Sequence, residues 1–305
     1  MASTHLFKDL AQVILANYSG QDPSFKSRLS FWIDQFGDRE ISSLAPDDIE
    51  DGLDALVARG KLKAIRLRDP EKIAATQQNA LLVNTQQPLS PSTINRYLAS
   101  LGTMFRDLRK MRLLPRGFVS PLRGVSRQPE GAGRTIEIDS KQVTHLIAAC
   151  RLSRNRKLSA LVALACTTGW RLGSLQKLKW GDLDLGAGTA YTSRTKNGTP
   201  HRTVLLPWVI AEIRAIKPTQ AHAEGLVFGP TNPNKALKTA LMRANLPTEW
   251  TFHHCRHIAA SVLAQSGASV PIIMACLNHK SPQMALRYSH LNIATLRESL
   301  EKAWL

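Results

Sequence analysis

Apolar residues recur at helical spacing along most of the chain, and turn-forming residues separate the periodic segments. The N-terminal part is predicted to form helices over residues 4–19, 24–36, 46–59 and 92–111. Asp22, Pro46 and Ser90 stand at or just before helix starts, where caps and first-turn prolines are favoured. Residues 61–90 interrupt this pattern with alternating basic and apolar positions followed by a polar stretch.

The C-terminal part combines helices with one predicted hairpin. Helices are predicted over 140–152 and 158–168, and Gly169 is the expected end of the second. Residues 190–194 and 202–206 are predicted strands, and Lys196-Asn197-Gly198 between them is a turn signal, because Asn-Gly tolerates positive φ. The remainder is predicted to be helical. The fold class is therefore mainly α with a small antiparallel β-sheet.

Length and composition predict two domains. The chain has 305 residues, more than one average domain. Residues 115–135 are rich in proline, glycine and arginine, which is typical of a linker. We therefore expect a helical domain over 1–114, a linker over 115–135 and a second domain over 136–305.

The charge of the chain predicts a polyanionic partner. The formal net charge is +17 and the sequence pI is about 10.2, which favours nucleic acid. The first 130 residues carry 18 basic and 14 acidic side chains, whereas the remaining residues carry 22 and 9. The C-terminal part therefore carries most of the positive field. The stretch 34–54 is strongly acidic, and we expect it to face solvent rather than phosphate.

The sequence gives little support for disulfide bonds, a membrane span, a metal site or a nucleotide-binding loop. Four cysteines without a C-x-x-C pair are typical of reduced, buried thiols in a cytosolic protein. No stretch of about 18 apolar residues is present, so we expect no membrane span. The histidine-rich run 253–257 lacks the second ligand cluster that zinc needs. A phosphate-binding glycine loop is also missing, so neither metal nor cofactor is expected.

A set of cations and one tyrosine near the C-terminus predicts phosphate chemistry. His253 and Arg256 are three residues apart and share a face if the segment is helical. His279 follows after an apolar segment, and Tyr288 comes nine residues later. A tyrosine hydroxyl is a weak nucleophile at its ordinary pKa, so it needs cations around an anionic reacting centre.

These residues form a motif set that resembles the tyrosine recombinase (phage integrase) family. The family pattern H-x-x-R appears as His253-His254-Cys255-Arg256, and L-G-H appears as Leu277-Asn278-His279, followed by Tyr288. The segment TTGWRLGSLQKLKWGDLDL resembles the first arginine box, with Arg171 as its arginine. The segment TSRTKNGTPHRTVLLP resembles the lysine hairpin, with Lys196 as its lysine. Ser174 stands where the family often has an acid, and Asn278 replaces a glycine.

The resemblance implies a reaction and a role for each residue of the set. Tyr288 would attack a phosphodiester and form a 3′-phosphotyrosyl link, while Arg171 and Arg256 bind the non-bridging oxygens. Lys196 would protonate the leaving oxygen. His253 and His279 would hydrogen-bond the phosphate, with His253 the favoured proton acceptor for the tyrosine.

The resemblance also implies an architecture and a biological setting. A helical core-binding domain and a catalytic domain would form a clamp around double-stranded DNA at a specific recombination site. Four copies would join two sites and exchange strands through a Holliday junction, for a mobile element in a prokaryotic cytoplasm. Two alternatives stay open: a catalytically silent, sequence-specific DNA-binding protein, and a relaxing enzyme similar to type IB topoisomerases.

Two further surfaces are assigned by this hypothesis. One is a DNA-contacting face on the predicted helix 92–111, with the residues Asn95, Arg96, Arg106, Arg109 and Lys110. The other is the tail 292–305, whose apolar residues Ile293, Leu296, Leu300 and Trp304 form one helical stripe. The resemblance favours docking of this tail into a neighbouring copy, with packing on its own domain as the alternative.

Overall fold

The structure is a computed structural model that describes residues 5–20, 22–66, 80–131, 136–192, 200–288 and 301. For residues 66, 80 and 81 it describes the backbone alone. The chain divides into two compact units, Met1–Gly131 and Ala132–Leu305. Helices dominate both units, which confirms the predicted fold class. Among the described helices, none is long and apolar enough to cross a membrane.

The described part of the first unit consists of four α-helices and a two-stranded ribbon. The helices are α1 (Phe7–Asn17), α2 (Phe25–Phe36), α3 (Pro46–Arg59) and α4 (Pro91–Lys110). Their apolar faces enclose Trp32, whose indole N–H donates a hydrogen bond to the carbonyl of Tyr97 at 3.0 Å. The cap predicted at Ser90 is present, because its hydroxyl accepts from the backbone N–H of Thr93 at 3.3 Å.

The alternating positions after α3 form a strand that the sequence analysis does not predict. Strand β1 (Leu62–Arg66) pairs antiparallel with β2 (Ala80–Asn84), with Leu62 opposite Asn84. Gly60, at φ +67°, provides the turn between α3 and this ribbon.

The first unit extends well into the predicted linker. The ring of Phe118 lies 5.6 Å from that of Phe105 on α4. The buried side chain of Asn95 donates to the carbonyl of Gln128 at 2.9 Å and to the carboxylate of Glu130 at 2.7 Å. Its own amide oxygen accepts from the backbone N–H of Gln128 at 2.8 Å. The described segment 115–131 therefore packs with the first unit.

The elements of the second unit pack around one buried helix. In chain order its elements are α5 (Ser140–Arg151), α6 (Leu158–Thr168), α7 (Leu172–Leu175), β3 (Leu183–Asp184), β4 (Thr189–Thr192), β5 (His201–Val204), α8 (Pro207–Ala215), α9 (Asn234–Arg243), α10 (His254–Gln265), α11 (Val270–Leu277) and α12 (Gln283–Leu286). Helix α6 is apolar on all sides, as expected of a helix buried all round. It packs against α5, α8 and α10. The antiparallel sheet has the order β3-β4-β5, and the predicted strands correspond to β4 and β5.

Asn95 and Arg96 give a direct test of this description, because both were assigned to one DNA-contacting face. Asn95→Ala should lower the free energy of unfolding by about 1–2 kcal/mol, since it removes three hydrogen bonds that hold residues 128–130. Arg96→Ala removes an exposed side chain and should change it by less than about 0.5 kcal/mol. Urea denaturation measures both. Equal stability of the two variants would contradict the role assigned to Asn95.

Candidate active site

A buried guanidinium lies at the centre of the second unit. Arg256, in the first turn of α10, is 7% exposed. Its Nη1 donates to the carbonyl of Gly169 at 2.8 Å, and its Nη2 donates to the carbonyl of Leu277 at 2.6 Å. Burial, followed by the charge of Arg171, lowers its pKa to about 10, so it stays cationic at neutral pH. Within the described residues no carboxylate pairs with it, and an unpaired buried cation is costly unless an anion arrives.

Arg171 brings a second cation to the same cavity. It follows Gly169 and Trp170 at the turn between α6 and α7, where its carbonyl accepts from the backbone N–H of Ser174 at 2.9 Å. Its side chain, half-buried, lines a cavity together with His253 and Arg256. The rest of the cavity wall comes from Trp170, Leu172, Asn234, Thr251 and Phe252. Two arginine forks that converge on one cavity suit the oxygens of a phosphate.

Gly169 allows the helix ends to meet at this point. Its φ of +64° ends α6 in the left-handed region, as the sequence predicts. A Cβ there would lie 2.0 Å from Cδ2 of Leu277, so α11 approaches to a distance that a side chain would prevent. The same residue supplies one of the two carbonyls that hold Arg256.

His201 ties the sheet to both sides of the site, and the sequence analysis does not identify it. The indole N–H of Trp170 donates to its Nδ1 at 2.9 Å. Its Nε2 lies 2.8 Å from the carbonyl of Ala275, which can only accept, so the proton is on Nε2. Residue 201 begins β5 and thereby fixes that strand to the Arg171 turn and to α11. A histidine just before a predicted strand has no sequence feature that marks this role.

His279 lies just beyond α11, after a left-handed residue. Asn278 has φ 51° and ψ 53°, a left-handed conformation that asparagine adopts more easily than most residues other than glycine. Nδ1 of His279 is enclosed and has no hydrogen-bond partner among the described residues. Burial first, and then the charges of Arg256 and Arg171, lower its pKa to about 4. His279 is therefore neutral and close enough to both arginines to respond to their charge.

Tyr288 is enclosed rather than exposed to solvent. It is 3% exposed and packs with apolar residues of α10, α11 and α12. Its hydroxyl lies 2.6 Å from Nδ1 of His257. Burial raises the pKa of the hydroxyl, although the charges of Arg287 and Arg256 act in the opposite direction.

His257 is a second residue of this site that the sequence motifs did not identify. It directly follows Arg256 and lies four residues after His253, so helical spacing placed it on the same face. The rings of His253 and His257 meet edge to face at 5.5 Å. His253, predicted to accept the proton of the tyrosine, is exposed and lines the cavity.

The remaining predicted residues divide into three groups. Lys196 and the tail 292–305 fall outside the described residues, apart from Glu301. Arg96, Arg106, Arg109 and Lys110 are exposed on α4, where they can reach a ligand, whereas Asn95 is buried. Cys255 faces the core, as expected, and the described residues contain no group of three or more side chains suited to a metal.

Comparison with known proteins assigns the chain to a family. Residues 137–294 match the phage integrase family, and the chain belongs to it. The integrase of Haemophilus phage HP1 is 25% identical over 221 residues, which cover 72% of this chain and 62% of that protein, less than two thirds of its length. Tyrosine recombinase XerC of Lactobacillus delbrueckii subsp. bulgaricus is 27% identical, covering 74% of this chain and 81% of its own. Such recombinases are enzymes that cleave and rejoin DNA.

A solved structure supports the same fold. The integrase of the transposon Tn1549, in complex with transposon right end DNA, superposes with a TM-score of 0.67. The match covers 98% of this chain and 100% of that one at 14% sequence identity, which is a likeness of fold alone.

The close contact at Gly169 generates a prediction for the site. Gly169→Ala should lower the free energy of unfolding by at least about 2 kcal/mol, since a left-handed alanine costs about 1–2 kcal/mol and its methyl group also overlaps Leu277. Gly173→Ala is the matched control, because a Cβ at Gly173 meets nothing within 4 Å. Chemical denaturation measures both variants. A Gly169→Ala protein as stable as the wild type would refute the packing described here.

Proposed function

We propose that this protein is a site-specific DNA recombinase that cuts one strand through a 3′-phosphotyrosyl intermediate and rejoins it to another. The observation that carries the proposal is the buried guanidinium of Arg256, which lies beside Arg171 and has no carboxylate partner among the described residues. The hydroxyl of Tyr288 contacts His257 on the same helix, α10. Membership of the phage integrase family and the net charge of +17 support a DNA substrate.

The proposed cleavage step is a transesterification. Oη of Tyr288 attacks the phosphorus, the Oη–P bond forms, and the bond to the 5′-oxygen breaks. Arg171 and Arg256 bind the non-bridging oxygens and stabilise the charge that builds on them. Lys196 gives a proton to the leaving oxygen, a role that rests on the sequence motif alone.

The same intermediate explains how strands would be rejoined without an energy source. The phosphotyrosyl link keeps the energy of the broken bond, so a 5′-hydroxyl from another strand can displace Tyr288 directly. We propose that four copies on two DNA sites carry out two such exchanges through a Holliday junction, for a mobile element. The apolar stripe of the tail supports contacts between copies.

Sequence preference would come from the first unit. Arg96, Arg106, Arg109 and Lys110 give α4 an exposed basic surface that suits the DNA backbone. A duplex pool selected on the wild-type protein would identify the bound sequence. That sequence supplies the substrate for the tests below.

The test of this function is covalent capture on a nicked duplex that carries the selected sequence. The wild-type protein should form an adduct that survives denaturation, and Tyr288→Phe should bind the duplex with similar affinity but form none. Tyr191→Phe is the matched control, because Tyr191 is exposed on β4 and should keep the wild-type yield. Adduct formation should persist in excess chelator, since arginines supply the charge that metal ions supply in many nucleases.

Each of the other outcomes would indicate a different function or a different nucleophile. Binding without any adduct in the wild type would indicate a silent DNA-binding protein. Adducts with Tyr288→Phe would move the nucleophile to another residue. Relaxation of a supercoiled plasmid that lacks the selected sequence would indicate a topoisomerase.

A further inference from the structure

The contact between Tyr288 and His257 is not used by the reaction outlined above. His257 lies on α10 directly after Arg256, and its Nδ1 is 2.6 Å from Oη of Tyr288. The tyrosine side chain is enclosed, so this hydrogen bond fixes where the hydroxyl points. Because the nucleophile must lose its proton when it attacks, the group that touches its hydroxyl is the first candidate to receive that proton.

Both partners of this hydrogen bond are neutral at neutral pH. Burial raises the pKa of Tyr288, so the hydroxyl keeps its proton. Burial, followed by the charges of neighbouring groups, lowers the pKa of His257 to about 4, so the imidazole is neutral. In the tautomer of His257 that carries its proton on Nε2, the hydroxyl donates and Nδ1 accepts with its lone pair.

We propose that His257 is a catalytic residue that takes the hydroxyl proton of Tyr288 onto Nδ1 during DNA cleavage. This inference rests on the proposed function. As the Oη–P bond forms and the P–O5′ bond breaks, the proton moves from Oη to Nδ1. The leaving 5′-oxygen takes a proton from the general acid. In the rejoining step a 5′-hydroxyl attacks the phosphorus and gives its proton back to the general acid, which lost one during cleavage. The Oη–P bond breaks, and Oη leaves with the proton that Nδ1 returns.

His253, just before α10, and His257, on α10, then have separate tasks. His253 is exposed and lines the cavity with Arg171 and Arg256, where a phosphate oxygen is expected. His257 contacts the hydroxyl that attacks. A residue that binds phosphate and a residue that accepts the proton lie on the same face, so the hydroxyl of Tyr288 is held beside the phosphorus that it attacks. The proton is therefore assigned to His257, and His253 keeps only the contact with phosphate.

The charges around His257 make its basicity depend on the substrate. After burial, the groups that lower its pKa are His253 just before α10, His254 on α10, Arg287 after α12 and Arg256 on α10. His279, beyond α11, also senses His257. A phosphate anion in the cavity would offset the positive field and raise the pKa of His257. Without DNA the histidine is too weak a base to ionise Tyr288, so the nucleophile stays protonated until a phosphate is bound.

Asparagine is the informative replacement for His257. Its side-chain oxygen can lie near the position of Nδ1 and accept the hydroxyl hydrogen bond, but it cannot hold the proton at neutral pH. His257→Ala removes both capacities. The matched control is His145→Asn, an exposed histidine on α5.

The measurement is the single-turnover rate of adduct formation on the nicked duplex, followed from about pH 5.5 to about pH 9.5. His257→Asn should bind the duplex as the wild type does and react about 10²- to 10⁴-fold more slowly near neutral pH, the usual contribution of a general base. Its rate should keep rising with hydroxide, whereas the wild-type rate should level off. Added imidazole should accelerate His257→Ala by at least about tenfold. His145→Asn should match the wild type.

Several results would overturn the inference without touching the proposed function. A His257→Asn rate within about threefold of the wild type would reduce the histidine to a hydrogen-bond partner. A faster rate would mean that His257 restrains the hydroxyl of Tyr288 instead of accepting its proton. A wild-type rate that rises with hydroxide over the whole range would overturn the inference even if neither variant folds. Absence of any wild-type adduct would instead refute the proposed function.

Discussion

The packing of the second unit depends on one buried positive charge, the guanidinium of Arg256, and on the groups that bind it. The guanidinium of Arg256 joins the end of α6, through the carbonyl of Gly169, to the end of α11, through the carbonyl of Leu277. These carbonyls satisfy two of its donors but leave the charge without an anion among the described residues. Desolvating a cation costs several kcal/mol, so the fold keeps this site at a cost that a bound phosphate would offset. The charge that makes the burial of Arg256 unfavourable is thus the charge that would bind phosphate in the proposed function.

Burial, and then the positive groups around the site, set the protonation states of the neighbouring residues. Together they keep both His257 and His279 neutral, each with a pKa of about 4. Tyr288, enclosed by apolar residues of three helices, keeps its proton. In the proposed reaction, this state binds phosphate before the tyrosine can attack it. The phosphate would change the field and the basicity of the histidines together, and the proposal thereby couples substrate binding to the chemical step.

Most of the elements and many of the site residues could be predicted from sequence, because they follow from local rules. Helical periodicity located the main helices, and the capping side chains of Ser90 and Asp139 marked where α4 and α5 begin. Gly169 and Asn278 were predictable as left-handed positions, since few residues other than glycine and asparagine adopt them easily. The arginine and histidine motifs supplied three residues that line the cavity, Arg171, His253 and Arg256.

What the sequence could not supply depends on contacts between distant residues. The β1–β2 ribbon pairs strands whose partners local spacing does not specify. Asn95 is a polar residue of a kind that is typical of the surface, and its hydrogen bonds to residues 128–130 form only in the folded unit. His257 stood in a histidine-rich run whose members look alike until the fold brings Tyr288 to one of them. Lys196 and the tail stay predictions.

The most direct test of the central claim asks whether Arg256 is needed because the phosphate is charged. A methylphosphonate at the cleavage position replaces one charged oxygen by a methyl group and makes the reacting centre neutral. Arg256→Ala should slow adduct formation on the ordinary duplex by at least about 10²-fold, but on the methylphosphonate duplex by less than about tenfold. Arg243→Ala, whose guanidinium also donates to a backbone carbonyl but lies on α9, should affect neither. An equal loss on both duplexes would contradict the account.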